Sequence, residues 1–171
     1  MNRINYPQQL LHLVVFVFLQ VLFLYKFILF DVAFGFFYVG FILFFPFGLS
    51  RSMTMSIAFL AGLIIDIFSN TPGIHTSACV LIAFIKDFWI DVSIRRSDED
   101  IRVDWNELGL WGSVKYLLPL LLVHHIVIFT VENDGFSSFG LLSSKIFFSS
   151  IYSFVTILGL SILMAPKARR I

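Results

Sequence analysis

Asp66 is the residue in this chain whose position most strongly suggests chemistry. It lies within the apolar stretch Met53–Phe68, about 15 residues or roughly 22 Å of helix beyond Arg51. A carboxylate in a hydrocarbon layer is costly and marks a functional position by default. It could contact a ligand, a proton or a partner protein, or it could be a polar clamp for the turn that follows. The clamp is favoured because hydrogen-bond donors cluster in and after that turn: Asn70, Thr71, His75, Thr76 and Ser77.

Two glycines and one glutamine accompany this aspartate. Gly62 precedes Asp66 by one helical turn and forms a small-xxx-small pair with Ala58, which lets another helix pack closely. Gly73 follows a proline, at a point where a turn can require a positive φ. Gln20 is the uncharged polar residue in the middle of the first apolar block. We expect it to hydrogen-bond to a neighbouring helix, with contact to a ligand as the alternative.

The remaining reactive side chains do not form a recognisable catalytic set. His124 and His125 are adjacent, so on a helix they diverge by about 100° and cannot easily share one metal ion. No cysteine or carboxylate lies one turn away to complete a zinc site, and interior hydrogen bonding is the expected role. The sequence contains no P-loop, nucleophile elbow or dinucleotide-binding glycine motif. We therefore expect no enzymatic activity, no metal and no cofactor.

The composition limits the class of protein. Hydrophobic residues make up 58% of the chain and charged residues 13%, whereas soluble domains have about 45–50% and about 25%. These values exclude a soluble globular domain, a disordered segment and a nucleic-acid binder with a basic face. The single cysteine excludes a disulfide scaffold. We expect an integral membrane protein in contact with lipids and not with nucleic acid.

Continuous apolar blocks predict an all-α membrane protein with six transmembrane helices in one polytopic domain, residues 1–171. About 20 residues cross a bilayer as a helix. Five spans remain possible if the first block contains a re-entrant segment. The blocks predict two spans in Leu10–Leu49, joined by a tight turn near Lys26–Asp31, and one span each in Met53–Phe68, Ile74–Ile90, Val114–Val131 and Phe139–Met164.

The distribution of basic residues predicts the orientation. With the N-terminus in the cytoplasm, ten of the 12 lysines and arginines fall inside, and only Lys26 and Lys145 fall outside. An even number of spans, with both termini cytoplasmic, is favoured. Asp66 then lies in the outer third of the membrane. The long polar stretch Asp91–Gly112 is expected to be a solvated cytoplasmic connector, with contact to a partner or to lipid head groups as the alternative.

The stretch Ser56–Ile85, SIAFLAGLIIDIFSNTPGIHTSACVLIAFI, resembles the MreD family of bacterial rod shape-determining membrane proteins. The family pattern is a glycine, an aspartate one turn later, a short polar turn, a second glycine and a helix rich in small residues. Gly62, Asp66 and Gly73 match it. Gln20 and the proline-containing segment FFPFGLSR at Phe44–Arg51 are also similar to the family.

The resemblance implies a non-enzymatic scaffold in the bacterial inner membrane. Such a protein binds an MreC-like bitopic partner and, through it, an MreB-like filament and the peptidoglycan synthases that elongate the cell. It also implies a six-helix fold similar to the substrate-binding subunits of energy-coupling-factor transporters, so a vitamin- or small-molecule-binding subunit is the alternative function. The acidic stretch Asp91–Gly112 departs from the family pattern. We expect Asp66 and the following turn, from Asn70 to His75, to lie at or beside the partner interface.

Overall fold

The chain is mostly helical. The computed structural model describes residues 6–24, 28–44, 50–94, 105–132 and 139–164. The first helix continues as a π-helical stretch, Gln20–Leu24. The elements, in chain order, are α1 (Tyr6–Leu19), β1 (Ile28–Leu29), β2 (Ala33–Phe34), α2 (Tyr38–Leu43), α3 (Arg51–Ser69), α4 (Ile74–Ile94), α5 (Trp105–Glu132) and α6 (Phe139–Met164).

Within the described residues, three helices are long and apolar enough to cross a membrane: Arg51–Ser69, Leu108–Glu132 and Phe139–Ile162. They coincide with the third, fifth and sixth predicted spans. Helix α4 coincides with the fourth and has 21 residues, but its C-terminal half carries Lys86, Asp87 and Asp91. Large apolar side chains remain exposed along these helices, which is compatible with a membrane protein.

The prediction of two full helices in Leu10–Leu49 is wrong for the second of them. Strands β1 and β2 form an antiparallel hairpin in which Ile28 pairs with Phe34. Phe30 and Asp31 turn the chain with φ of 55° and 57°, which places the turn at the end of the predicted range. Residues 35–37, which belong to neither a strand nor a helix, and the six-residue helix α2 follow. The described residues in the second half of this block therefore form a hairpin and a short helix and not one long helix.

The predicted polar stretch Asp91–Gly112 is partly helical. Helix α4 continues to Ile94 and helix α5 begins at Trp105, so both ends of the stretch belong to helices. Residues 95–104 lie outside the described part of the chain. Helix α5 is interrupted at Gly109, whose φ of 60° and ψ of −175° are not helical. The described residues of this stretch therefore belong to the ends of two helices and not to a connector.

The core is built around the segment from β2 to α2. Helices α3 to α6 pack in sequence order, each against the next, while α1 packs on α2 and α3. Strand β2 lies against α6, and α2 lies against α4. All residues from Gly35 to Leu43 are buried. The backbone approaches α6 so closely that a Cβ at Gly40 would lie 3.0 Å from the Ile157 side chain.

Helix α5 contains Pro119, which removes one helical hydrogen bond. Proline has no N–H, so the carbonyl of Lys115, four residues earlier, loses its usual partner. The indole Nε1 of Trp89 donates to that carbonyl at 3.1 Å. Because Trp89 lies on α4, the bond also links α4 to α5.

Candidate functional site

The Asp66 carboxylate accepts four hydrogen bonds. Its Oδ1 accepts from the Thr71 hydroxyl at 2.6 Å and from the backbone N–H of His75 at 2.9 Å. Its Oδ2 accepts from the backbone N–H of Thr76 at 2.9 Å and from the Thr76 hydroxyl at 2.6 Å. A carboxylate has about four lone-pair positions. The residue is only 4% exposed, so its acceptor capacity is satisfied inside the protein.

These bonds make Asp66 a cap for two helix ends. His75 and Thr76 are the second and third residues of α4, where an N-cap side chain normally accepts hydrogen bonds. Here the cap comes from another helix, and its negative charge faces the positive end of the α4 dipole. The backbone carbonyl of Asp66 accepts from Thr71 and from Asn70, which closes the C-terminus of α3. The arrangement is the polar clamp that the donor cluster predicts.

The two glycines and Asn70 shape the same hairpin. Gly62 faces α4 so closely that a Cβ there would lie 2.5 Å from the Cα of Thr76. Asn70 ends α3 in the left-handed region, with φ of 55°, and Gly73 has φ of 80°. Neither the Asn70 side chain nor that of Ser77 bonds to Asp66; the Ser77 hydroxyl donates to the carbonyl of Ile74. Asn70 contributes through its backbone, and the tip of the turn is exposed.

A second polar cluster holds the segment from β2 to α2, residues 33–43, which we call the buried segment. Gln20 belongs to this cluster. The Gln20 Nε2 donates to the carbonyl of Gly35 at 3.0 Å, and its Oε1 accepts from the N–H of Phe37 at 2.7 Å. The glutamine therefore replaces the partners that a helix would have supplied to this backbone. The expected hydrogen bond from Gln20 is present, but its partners are residues between β2 and α2 and not a neighbouring helix.

Helix α6 contributes two serines to this cluster. The Ser149 hydroxyl accepts from the N–H of Phe34 at 2.9 Å, and the Ser153 hydroxyl accepts from the N–H of Phe36 at 3.0 Å. Backbone groups inside a membrane need partners within the protein. Gln20 and these two serines meet that need for residues 34–37, which precede α2.

Three histidines meet in the interior around this segment. The Tyr38 hydroxyl lies 2.7 Å from Nδ1 of His75 and 3.0 Å from Nε2 of His124. His125 Nδ1 lies 2.6 Å from the carbonyl of Leu121, and its Nε2 lies 3.2 Å from the Ser153 hydroxyl. His124 and His125 thus take part in interior hydrogen bonds, as expected. In the described part of the chain, no group of three His, Cys, Asp or Glu side chains is placed to hold a metal ion.

Sequence reasoning missed Tyr38, the serines of α6 and the burial of Lys86. Lys86 is fully buried, with its Nζ 3.9 Å from Asp87 Oδ1, although the charge count treats it as a cytoplasmic lysine. The role of the serine pair could have been predicted from the sequence, because Ser149 and Ser153 are four residues apart and share one helix face. Tyr38 carried none, because nothing in its sequence neighbourhood points to histidines 37 and 86 residues away.

Comparison of the chain with models of protein families, with curated proteins and with solved structures gives no match.

Proposed function

We propose that this protein is a non-enzymatic membrane scaffold that resembles MreD, lies in the inner membrane of a bacterium and supports cell-shape control and peptidoglycan elongation. Its direct partner is a bitopic membrane protein of the MreC kind. Through that partner it acts on an MreB-like filament and on peptidoglycan synthases. The stretch that resembles the family, Ser56–Ile85, forms most of the α3–α4 hairpin.

The observation that supports this proposal most directly is the use of Asp66 to build an exposed turn. The carboxylate is buried and satisfied by four hydrogen bonds. The partner therefore binds to the exposed turn and not to the Asp66 carboxylate. Asn70, Pro72, Gly73 and Ser77 are exposed at that end of the hairpin. The role of Asp66, Gly62 and Gly73 is to hold this surface in one shape.

The proposed topology has six crossings with both termini in the cytoplasm. The second crossing uses the buried segment in place of a full helix. The four residues before Phe37, 33–36, cover at most about 13 Å at ~3.3 Å each. Phe37, which has helical backbone angles, and helix α2 add about 10 Å at ~1.5 Å each. Together they cover at most about 23 Å of a hydrocarbon core that is ~30 Å thick.

The interior polar groups favour the scaffold over the alternative, a substrate-binding subunit of a small-molecule transporter. A ligand pocket presents polar groups that converge on a space. Here Gln20 and Ser149 converge on the backbone of the buried segment. Tyr38 and His75 bond to each other. Because these polar groups bond to other parts of the protein, they stabilise the fold and are not available to bind a solute.

The test is co-purification with the MreC-like protein of the same organism. Ser77→Arg places a long charged side chain at the outer end of the hairpin, and Ser52→Arg places the same side chain at the inner end; both serines are exposed. We expect Ser77→Arg to reduce the recovered partner at least tenfold and Ser52→Arg to leave it unchanged. Equal thermal unfolding of both variants and the wild type in micelles excludes misfolding as the cause.

Undiminished recovery with a stably folded Ser77→Arg variant would show that the turn is not the contact. Depletion of the protein tests the wider function. Rounding of rod-shaped cells supports the scaffold, whereas a new requirement for an external vitamin would support the transporter subunit.

A further inference from the structure

The Tyr38 hydroxyl bridges two histidine rings, and it carries only one proton. Its oxygen lies 2.7 Å from His75 Nδ1 and 3.0 Å from His124 Nε2. A neutral imidazole has one nitrogen that donates and one that accepts. The hydroxyl can donate to only one ring, so the other ring must donate to it. The protonation of the two rings is therefore coupled through Tyr38.

The distances favour one assignment of the donors. Hydrogen bonds donated by an O–H group are typically shorter than those donated by an N–H group; to oxygen acceptors the usual distances are about 2.7–2.8 Å and about 2.9–3.0 Å. The short contact is then the Tyr38 hydroxyl donating to His75 Nδ1, and the longer one is His124 Nε2–H donating to Tyr38. In this arrangement both His75 and His124 carry their proton on Nε2.

An independent observation supports the same assignment. Within the described residues, His124 Nδ1 is buried and has no hydrogen-bond partner. A buried N–H without an acceptor is rarer in proteins than an acceptor without a donor, so Nδ1 holds a lone pair. His125 has the opposite tautomer, because its Nδ1 faces the Leu121 carbonyl, which can only accept. The two adjacent histidines thus differ in the nitrogen that carries the proton.

We propose that His124, Tyr38 and His75 form a proton-binding relay whose proton acceptor is His124 Nδ1 and whose counter-ion is Asp66. A proton added at His124 Nδ1 is followed by transfer of the Nε2 proton to Tyr38, while the Tyr38 hydroxyl proton passes to His75 Nδ1. His124 ends neutral with its proton on Nδ1, Tyr38 remains a phenol, and His75 becomes an imidazolium. One proton is gained, and only N–H and O–H bonds change.

The surroundings explain why the positive charge ends on His75. The Asp66 carboxylate accepts from the backbone N–H of His75 at 2.9 Å, so it lies beside that residue. Opposite charges attract strongly in a medium of low dielectric constant. Among the described residues, two other titratable groups face the relay: the Cys79 thiol of α4, which also lies within hydrogen-bonding reach of the Tyr38 hydroxyl, and His125 of α5. The π-helical stretch after α1 and helix α6 present the uncharged Gln20 and Ser153, while Lys145 of α6 lies farther along, over the Phe34 ring.

The experiment is ¹⁵N NMR of the full-length protein in micelles with labelled histidines. A His12→Gln variant assigns the fourth ring. At about pH 8, above the ordinary titration range of histidine, we expect Nε2–H for His75 and His124 and Nδ1–H for His125. On acidification His75 should become charged as His124 moves its proton to Nδ1. Tyr38→Phe should abolish this paired change, and Tyr116→Phe should leave it intact because Tyr116 donates to the Leu43 carbonyl.

Three results would overturn the relay. The first is an Nδ1–H tautomer of His124 in the wild type at about pH 8. The second is an identical titration of His75 and His124 in Tyr38→Phe and in the wild type. The third is unfolding before any buried histidine becomes charged, since the relay then binds no proton. If Tyr38→Phe does not fold, the wild-type tautomers and their change with pH decide the question. The proposal is independent of the partner of the exposed turn.

Discussion

Asp66 and Thr76 are joined twice, because Asp66 Oδ2 accepts both the backbone N–H of Thr76 at 2.9 Å and its hydroxyl at 2.6 Å. The two residues lie on different helices, α3 and α4. Hydrogen bonds to an ionised acceptor are about twice as strong as those between neutral groups. This pair therefore fixes the separation and the register of the two helices at the end where the turn joins them.

The charge of Asp66 is expected to matter for stability. In Asp66→Asn one carboxylate oxygen becomes an NH₂ group, which faces donors in either orientation of the amide. One backbone N–H of α4 then loses its acceptor, at a cost of about 1–3 kcal/mol. Unfolding by SDS in mixed micelles, followed by circular dichroism, measures the loss. Ser77→Ala is the matched control on an exposed hydroxyl and should change stability little. Equal stability of Asp66→Asn and the wild type would contradict the clamp.

Gly62→Ala should destabilise the hairpin by overpacking. The new Cβ would lie 2.5 Å from the Cα of Thr76, a backbone atom that cannot turn away. Overpacking costs about 1–3 kcal/mol, and we expect the upper part of that range. Gly159→Ala is the control on α6, where nothing lies within 4 Å of the added methyl group. That variant should gain about 0.5–1 kcal/mol, as alanine usually does over glycine in a helix. The same sign for both variants in SDS unfolding would refute the close packing.

Two serines of α6, Ser153 and Ser150, should differ sharply in their contribution to stability. Ser153→Ala removes the acceptor of the buried Phe36 N–H and should cost about 1–3 kcal/mol. Ser150→Ala removes only a bond to the Ile146 carbonyl of its own helix and should be nearly neutral. Thermal unfolding of both variants in the same detergent gives the comparison. A stability loss of Ser153→Ala no greater than that of Ser150→Ala would contradict the proposed support of the buried segment.

Trp89 and Pro119 should be coupled energetically. Trp89→Phe leaves the Lys115 carbonyl without its indole donor, and we expect a loss of about 0.5–1.5 kcal/mol. Pro119→Ala returns a backbone N–H to that carbonyl, so in this background Trp89→Phe should cost less. A double-mutant cycle measures the difference as the coupling energy. Additive effects would show that the indole does not replace the missing helical bond.

The orientation is testable with reporter fusions. Reporters inserted at Asn133–Phe136 should be active in the periplasm, and those at Asp98–Asp100 should be active in the cytoplasm. Both expectations follow from the excess of lysine and arginine assigned to the inner side. The reverse pattern at both positions would invert the proposed topology.

The α3–α4 hairpin could be read from the sequence because its signals are local. The signals lie within about twenty residues of each other. They are an apolar stretch long enough for a helix, Gly62 and Asp66 one helical turn apart, and a turn that contains proline and glycine. Each element agrees with its neighbours, which is the condition under which local reasoning succeeds. The bonds of Asp66 to Thr71 and Thr76 connect residues no more than ten positions apart.

The buried segment could not be read in the same way. A run of about forty apolar residues fits two helices by length, and short buried strands cannot be distinguished from buried helix by periodicity. The turn at Phe30 and Asp31 lacks the asparagine or glycine that usually signals positive φ. The partners of Phe34 and Phe36 lie 115 and 117 residues away. Tertiary contacts, and not local preference, determine this region.

The distance in sequence between Phe34 and Ser149 also constrains how the protein is made. Translation delivers α6 after all the other described helices, so the Phe34 and Phe36 amides gain their serine partners only after α5 has been synthesised. Buried amides without a partner are costly. The final packing of residues 33–37 therefore has to wait for α6.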